Sequence, residues 1–455
     1  MLIAISDLHL TDGTTAANPH ETAIELLMRE MEASIGAKKP TELRFLLLGD
    51  IYDLVRTDYW HSRLVPAEER PWGGKALDKA TGMNPFPGVE TQFQDVLARI
   101  LPQPSSQALI HGIRQLAEKS GLPTTVHYVR GNHDRVLNNF PSLERQIAEA
   151  FAPVQVEFSN ELHAPEYALF ARHGHQWDEH CHGWKFLTRV LDPRSKAKQF
   201  SPEAHRVMGI GEVVTAELMS GFVHYVTEAV GPSDPFRALA AEVNNLRPMS
   251  DVVSWLTWML DRSERFKDRY LPLAKESFGK ALEDTLECTL AKEWDRVKRD
   301  LVLSGDLTDM LTKARWTMKR KKGLEWLQAL IPVKEDVDSA LTLLRGRRED
   351  GCYKGAATEL SGREIPASVQ YLLYGHTHGA RQACVSAKRD GTVRMYVNTG
   401  TFLPLIERAA DRGSFFRSNR MTFICFYHKG EDIAHRRGDG PTMDVWDGIK
   451  RKDYV

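Results

Sequence analysis

The chain has 455 residues, more than one hydrophobic core usually organises, so we expect two domains or one domain with a large insertion. Hydrophobic residues make up 42% of the chain and charged residues 27%, as in an ordinary soluble globular protein. The net charge of −1 argues against a protein that binds nucleic acid over its whole surface. Local basic patches remain compatible with this charge.

The cysteines and the first residues of the chain bear on the compartment. The five cysteines are far apart and form no C-x-x-C pair, which is typical of reduced thiols in a cytoplasmic protein. Residues 1–10 run straight into an apolar strand pattern, so we expect no leader peptide. No window has the ~18 uninterrupted apolar residues of a membrane span, so we expect no transmembrane segment. A peripheral contact with a membrane or lipid stays open.

The first 180 residues alternate short apolar runs with helical patterns. The runs predict buried strands at residues 2–5, 44–48, 125–129 and 167–171. Amphipathic spacing predicts helices over residues 20–35, 106–119 and 142–151. Strands that alternate with helices indicate an α/β fold with a largely parallel sheet and helices on its faces.

A long helical segment interrupts this pattern. Helical spacing dominates residues 183–365, and strand patterns return at 369–374, 393–397 and 422–428. We therefore predict one α/β domain formed by residues 1–182 and 366–430, with an α-helical insertion between them. Residues 431–455 are polar, and we expect an irregular C-terminal tail.

Residues 57–90 are rich in Pro, Gly and Trp and have little periodicity, so they predict a long loop. Long loops in compact domains are often functional. Because this loop closely follows the Asp50 motif, Trp60 and Trp72 are candidates for contact with a substrate. The alternative, that both are ordinary structural residues, has equal weight.

Polar clusters follow five of the predicted strands. They are Asp7-Leu8-His9, Gly49-Asp50-Ile51-Tyr52-Asp53, Gly131-Asn132-His133-Asp134, His173-Gly174-His175 and Gly375-His376-Thr377-His378. One D-x-H motif alone is expected about once by chance, but five clusters in sequence order are not. Ligands of open α/β sheets gather at the carboxyl ends of the strands, so we expect these clusters to converge. Burying so many carboxylates and imidazoles together is costly unless cations neutralise them, which predicts a metal site.

In this order, the motifs D-x-H, G-D-x-x-D, G-N-H-D, H-G-H and G-H-T-H resemble those of the calcineurin-like metallophosphoesterase superfamily. The resemblance covers about residues 1–180 and 366–430 and says nothing about the helical segment. It implies a calcineurin-like α/β/β/α sandwich. Since the helical insertion leaves just after the fourth motif and returns just before the fifth, we expect it to cap the site. It also implies a hydrolase that acts on phosphoric ester bonds.

The resemblance implies seven metal ligands in two sets with one shared member. Asp7, His9 and His378 would bind one ion, Asn132, His173 and His376 would bind the second, and Asp50 would bridge the two. In the fourth motif either His173 or His175 could be the ligand, and the family pattern favours His173. Imidazole, carboxylate and amide ligands together suit Mn²⁺, Fe²⁺ or Zn²⁺ better than Mg²⁺ or Ca²⁺, and we expect Mn²⁺ first.

By the same resemblance, His133 would contact the phosphoryl oxygen or protonate the leaving group, and Asp134 would orient its ring. A hydroxide held between two metal ions can attack phosphorus, so no protein nucleophile is needed. Purple acid phosphatases place Tyr three residues after the bridging Asp. This chain has Asp53 there, which disfavours a tyrosinate iron site.

The motifs GDIYDL and GNHDR look most like two branches of the superfamily, the UDP-2,3-diacylglucosamine hydrolases and the double-strand-break-repair nucleases. We therefore expect a phosphodiesterase that cleaves a phosphodiester or phosphoanhydride, with a DNA or RNA nuclease as the alternative. A protein phosphatase is disfavoured because its motifs differ, and a non-catalytic scaffold because such proteins typically lose metal ligands. Basic stretches at 194–198 and 313–322 are either solvated surface or contacts for phosphates, nucleic acid or anionic lipid.

Overall fold

The computed structural model describes residues 1–38, 40–247, 251–297, 307–320, 351–362, 365–387, 389, 391–411, 413–432 and 440–452. Its strands form two mixed sheets, and the fold is mixed α/β. The strands are β1 (Leu2–Ile5), β2 (Leu43–Leu48), β3 (Thr124–Val129), β4 (Gln155–Ser159), β5 (Leu162–Ala164), β6 (Leu169–Ala171), β7 (Tyr371–Tyr374), β8 (Arg381–Ala387), β9 (Val393–Asn398), β10 (Pro404–Arg408), β11 (Phe415–Tyr427) and β12 (Thr442–Lys452).

Four helices accompany the first strands, and the other helices of the described residues lie between β6 and β7. The first four are α1 (Glu21–Ala37), α2 (Val89–Ile100), α3 (Pro104–Ser120) and α4 (Pro141–Phe151). The later ones are α5 (Trp184–Phe186), α6 (Pro202–Arg206), α7 (Ile210–Val213), α8 (Gly221–Val230), α9 (Pro235–Ala241), α10 (Val252–Leu260), α11 (Glu264–Glu287), α12 (Thr289–Trp294), α13 (Leu307–Arg320) and α14 (351–361). A π-helical stretch, Val214–Ser220, joins α7 to α8. Within the described residues, no helix is long and apolar enough to cross a membrane.

The first sheet has seven strands. Its order is β10-β11-β1-β2-β3-β4, and β12 pairs with β11 along Arg417–Tyr427. Strands β1 to β4 are parallel, as the alternation of strands and helices predicts. The prediction of a largely parallel sheet is wrong for the other half, because β10, β11 and β12 run antiparallel to their neighbours. The short link between β10 and β11 allows only an antiparallel pair, since parallel strands need a longer crossover.

The second sheet has five strands in the order β5-β6-β7-β9-β8. Strands β6 and β7 are parallel neighbours, although the whole helical segment separates them in the sequence. The chain therefore leaves this sheet at the end of β6 and returns to the adjacent strand. Both polar motifs that flank the helical segment accordingly lie at one edge of the second sheet.

Three groups of buried residues hold these elements together. Between the sheets, Leu2 and Leu46 of the first sheet pack with Leu169 and Leu373 of the second. The other face of the first sheet shares one continuous core with α1 to α4 and with the helices that follow β6. The other face of the second sheet packs against α14, where Ala356 is fully buried.

The predicted irregular tail is wrong for residues 442–452. They form β12, which pairs with β11 along eleven residue pairs from Thr442–Tyr427 to Lys452–Arg417. Met443 and Val445 pack against the core between the sheets, and the Trp446 ring stacks on Phe423 at 5.3 Å. Five of the eleven residues in this segment are charged, which lowers its mean hydropathy and hides the strand pattern.

The predicted loop at 57–90 contains two short 3₁₀ helices, Asp58–His61 and Ala67–Glu69, before α2 begins at Val89. Trp60 and Trp72 are fully buried and in contact, with ring centroids 5.3 Å apart. The Trp72 indole donates a hydrogen bond to Glu217 of the helical segment. The hypothesis that these two tryptophans contact substrate is therefore wrong, because the helices after β6 cover them.

Candidate metal centre

The seven predicted metal ligands lie just beyond the carboxyl ends of β1, β2, β3, β6 and β7, and all are buried. We call them the strand-end cluster: Asp7, His9, Asp50, Asn132, His173, His376 and His378. Parallel pairing of β1, β2 and β3 brings three of the motifs to one edge. Parallel pairing of β6 and β7 does the same for the other two.

The first predicted set is close-packed around one point. His9 Nε2 and His378 Nε2 are 3.0 Å apart, and each lies within 4 Å of Asp7 Oδ1, at 3.8 and 3.4 Å. The other nitrogen of His9, Nδ1, donates to Asp53 Oδ2 at 2.9 Å. That bond directs Nε2 towards the other ligands, as partner carboxylates do for metal-binding histidines.

The second set surrounds Asp50. His173 Nε2 lies 3.2 Å from Asp50 Oδ2, and His376 belongs to the same group of facing ligand atoms. His173 Nδ1 donates to the Leu48 carbonyl at 2.8 Å, which leaves Nε2 free to bind an ion. Asn132 Oδ1 is buried without a hydrogen-bond partner, so it also fits a ligand. Asp50 Oδ2 is also 3.8 Å from His9 Nε2, so this carboxylate contacts both sets.

The backbone at these positions is strained. Among the described residues, six that are not glycine have a positive φ, and five of them are Asp7, His9, Asp50, His376 and His378. Side chains with a Cβ rarely adopt this conformation, and each instance costs on the order of 1–3 kcal/mol. Such strain concentrates at functional sites, where it fixes the direction of side chains.

Two glycines leave room for the carboxylates. A Cβ on Gly131 would lie 2.2 Å from Asp50 Oδ1, and one on Gly375 would lie 2.4 Å from Asp7 Oδ2. Both distances are far below van der Waals contact. The G-N-H-D and G-H-T-H motifs therefore need glycine because a carboxylate from another strand occupies the place of the side chain.

The electrostatics of the strand-end cluster fit a site for cations. Burial raises the pKa of the Asp7 carboxyl to about 7. Burial opposes the charge of Asp50 as well, but the facing His173 and His133 imidazoles outweigh it and hold the pKa of Asp50 well below its usual range. Burial would lower the pKa of His173, yet Asp50 and Asp7 raise it to about 10. Without metal, a proton on His173 partly balances the carboxylates, and metal ions would replace it.

The predicted role of Asp134 is wrong. His133 Nδ1 lies 2.8 Å from Asp53 Oδ2, so Asp53 is the carboxylate beside the His133 ring. Asp134 instead accepts hydrogen bonds from the Ile51 and Gly131 backbone amides and from the Tyr128 hydroxyl. It braces the two loops and does not touch the imidazole. His133 is less buried than the seven ligands, with 11% of its side chain exposed.

Asp53 thus contacts two histidines, His9 and His133, through the same oxygen. The G-D-x-x-D motif contains this residue, but the spacing alone gave it no role. The segment after β2 runs beside the His9 loop: Tyr52 forms a parallel bridge with Leu10, and the Asp53 amide donates to the Leu10 carbonyl. That fold of the loop decides the pairing and has no signature in the sequence.

Two arginines near the strand-end cluster were also missed. Arg56 is 3% exposed and its Nε lies 3.2 Å from Asp53 Oδ2, while Nη1 is buried without a hydrogen-bond partner. Arg247 follows α9 in the helical segment, and its Nε donates to His378 Nδ1 at 3.2 Å. Neither position belongs to a motif, so only the fold reveals them.

The fourth motif separates its two histidines. His173 lies in the strand-end cluster, whereas His175 turns towards His182 and His205. The run HQWDEHCH, residues 175–182, continues from His175. It contributes Asp178, whose Oδ2 lies 3.3 Å from His376 Nε2, so part of the run borders the site.

Comparison with known proteins adds no relative. No family model matches the chain, and neither a curated protein nor a solved structure does. The resemblance to the metallophosphoesterase motifs therefore stays a prediction. Function must be argued from the site itself.

Proposed function

We propose that this chain is a phosphoesterase that uses two divalent metal ions and belongs to the calcineurin-like metallophosphoesterases. One observation carries the proposal: the Asp50 carboxylate contacts histidines of both ligand sets, with Oδ2 3.2 Å from His173 and 3.8 Å from His9. A shared carboxylate is what a pair of ions needs as a bridge. Helices outside two facing sheets also agree with the α/β/β/α sandwich of that superfamily.

The donor set supports Mn²⁺, Fe²⁺ or Zn²⁺ as the ions, with Mn²⁺ first. When bound, two such ions would polarise the phosphate ester and lower the pKa of the attacking water. Asp7, His9 and His378 would hold one ion, and Asn132, His173 and His376 the other. The site thus needs no nucleophile from the protein.

His133 is the side chain best placed to move a proton. Its ring lies edge-on to His9, with centroids 4.6 Å apart, and it is the more exposed of the two. Asp53 Oδ2 lies beside Nδ1, so Nε2 is the nitrogen that would donate to the leaving oxygen. Asp53 is therefore a positioning residue.

Arg247 provides a cation for the substrate phosphate. It donates to His378 Nδ1, which requires that nitrogen to be without a proton. An ion on His378 Nε2 requires the proton on Nδ1, so metal binding would displace the guanidinium. The released Arg247 would then pair with a phosphate oxygen.

A substrate panel tests the proposal. The full chain with Mn²⁺ should hydrolyse bis(p-nitrophenyl) phosphate faster than p-nitrophenyl phosphate, and Asp50→Asn should abolish both reactions. Asp268→Asn removes an exposed carboxylate of α11 and should leave both rates unchanged. Hydrolysis that survives Asp50→Asn would overturn the two-metal assignment.

A nuclease is the second candidate, and one surface favours it. On α13 the Trp316 ring is 56% exposed, and the Arg320 guanidinium lies 3.9 Å above its centre. Exposed aromatic and basic groups together suit a single-stranded nucleic acid. Lys319 of the same basic stretch pairs with Glu283 at 2.9 Å, while its residues 321 and 322 lie outside the described residues.

Single-stranded DNA as a third substrate separates the two candidates. A nuclease should bind it with an affinity that falls steeply with salt concentration, and Lys319→Ala with Arg320→Ala should reduce the salt slope. Salt-insensitive or absent binding would exclude the nuclease and leave the phosphodiesterase on small substrates.

A further inference from the structure

A second group of histidines lies outside the strand-end cluster. His175 follows β6, His182 lies in the loop before α5, and His205 lies on α6. They are 1%, 3% and 4% exposed. We call them the three-histidine cluster. Since His205 belongs to the helical segment and His175 follows β6, this cluster joins that segment to the end of β6.

The three rings converge on one point. Their centroids are 5.5 Å apart for His175 and His182, 6.2 Å for His175 and His205, and 5.4 Å for His182 and His205. One ring nitrogen from each histidine lies within 4.8 Å of the others. Three imidazole nitrogens at such distances can bind one ion with small side-chain movements.

The ring nitrogens are prepared for a ligand. Both nitrogens of His175 are buried without a hydrogen-bond partner. His182 Nε2 donates to the Gln199 carbonyl at 2.6 Å, so the lone pair is on Nδ1, and Nδ1 is buried without a partner. A backbone carbonyl that accepts from one nitrogen commonly orients the other towards a metal.

Simple packing of neutral histidines is the alternative, and it explains these nitrogens poorly. An unsatisfied buried polar group costs about 1–3 kcal/mol, and His175 alone carries two. Leu or Phe would fill the same space without that cost. An ion bound to the cluster would satisfy at least one nitrogen on each ring.

The neighbouring cations do not exclude an ion. The charges of Arg135 and Arg172 help to lower the pKa of His182, but each arginine is ion-paired with a carboxylate. Arg135 Nε lies 2.7 Å from Glu212, and Arg172 Nη2 lies 3.1 Å from Glu161. Their charges are thus largely balanced before any metal binds.

We propose that His175, His182 and His205 bind a third divalent ion, of the Zn²⁺ class, apart from the strand-end cluster. Three imidazoles and no carboxylate suit Zn²⁺ better than Mn²⁺. The ion fastens α6 to the loop after β6. His175 also lies against His376, with ring centroids 6.3 Å apart, so the ion fixes the start of the helical segment beside the strand-end cluster. The site does not depend on the proposed phosphoesterase activity.

Metal content of the full chain tests the site. Protein loaded with Zn²⁺ and dialysed should hold one more equivalent than His205→Ala or His182→Asn, as measured by mass spectrometry of the metal. His111→Ala removes an exposed histidine of α3 and should keep the wild-type content. With Co²⁺ in place of Zn²⁺, the same two variants should each lose part of the visible ligand-field absorption.

Asp50→Asn separates this site from the strand-end cluster. It should lose the ions of the strand-end cluster and retain the ion bound by the three histidines. The third site is wrong if Asp50→Asn leaves no tightly bound Zn²⁺, or if folded His182→Asn holds as much as the wild type. Circular dichroism shows whether His205→Ala folds. If it does not, the metal content of His182→Asn and the Co²⁺ spectrum of the wild type test the third site.

Discussion

The strand-end cluster and the three-histidine cluster both bury several imidazoles, but they are built differently. The first contains two carboxylates and five residues with positive φ, while the second has neither. Strained loops and glycines place the first, whereas a short turn, a loop and helix α6 carry the second. Carboxylates permit two cations side by side, while neutral imidazoles alone suit one. The difference therefore agrees with the two proposals, a reactive pair of ions in one place and a single structural ion in the other.

The largest expected effect comes from Asp50→Asn. Loss of one partner of a buried charged group costs about 3–5 kcal/mol, so affinity for both ions of the strand-end cluster should fall by roughly 10²–10³-fold or more. Hydrolysis should become undetectable at micromolar Mn²⁺. Calorimetric titration of the metal-free protein with Mn²⁺ measures the change in affinity. If only one of the two ions is lost, Asp50 is a ligand of one set and not a bridge.

His133→Ala should slow hydrolysis by about 10²–10⁴-fold while both ions stay bound, because the residue supplies a proton and not a ligand. The loss should be smaller for a p-nitrophenyl ester than for an alkyl ester, since p-nitrophenolate needs less protonation. Steady-state kinetics on the two esters gives the comparison, and metal content serves as the control. An equal loss for both esters would argue that His133 binds the phosphoryl oxygen and does not act as an acid.

Asp53→Asn should have an intermediate effect. It keeps the shape of the side chain but removes the charge that orients His9 and His133, and loss of such an outer partner costs about 10–100-fold. The alkyl ester should lose more rate than the p-nitrophenyl ester, because His133 is no longer held in place to protonate the leaving group. Asp134→Asn is the matched control: it should lower the midpoint of thermal unfolding and leave the ratio of the two ester rates unchanged.

Asp53 and Asp134 show how far the sequence could predict the site. Spacing placed the motifs at strand ends, and the parallel pairing of β1, β2 and β3 follows from the alternation of strands and helices. The family resemblance implied Asp134 as the partner of His133. Instead Asp53, from the preceding motif, lies beside the ring, because the segment after β2 pairs with the His9 loop. Contacts between side chains of different loops depend on how those loops pack in the folded chain, and the spacing of residues within one motif does not encode that packing.

The three-histidine cluster marks a second limit. His175 and His182 lie in one polar run, but His205 lies 23 residues after His182 on a short helix. No common spacing links them, so a search for metal motifs passes over the set. The tail strand β12 was missed for a related reason: five of its eleven residues are charged, so its sequence lacks an apolar strand pattern.

The smallest expected effect separates burial from metal binding. His61 is a buried histidine outside both clusters, and its Nε2 donates to the Ala216 carbonyl at 3.0 Å. Burial lowers the pKa of His61 to about 4, from 6.5 when unfolded. The unfolded chain therefore binds the proton first, and stability present above pH 6.5 is lost as the pH falls towards 4.

By pH 5.5 this loss should reach about 1 kcal/mol of unfolding free energy. His61→Gln keeps a donor for Ala216 and removes the titrating group, so its stability should fall less over the same range. Urea unfolding of both metal-free proteins at pH 7 and 5.5 gives the difference, in which the histidines of the two clusters cancel. Equal losses would show that His61 is already solvated in the folded chain. A clear difference would give the free-energy cost of burying one imidazole without a metal. That cost is the reference for the three imidazoles buried side by side in the three-histidine cluster.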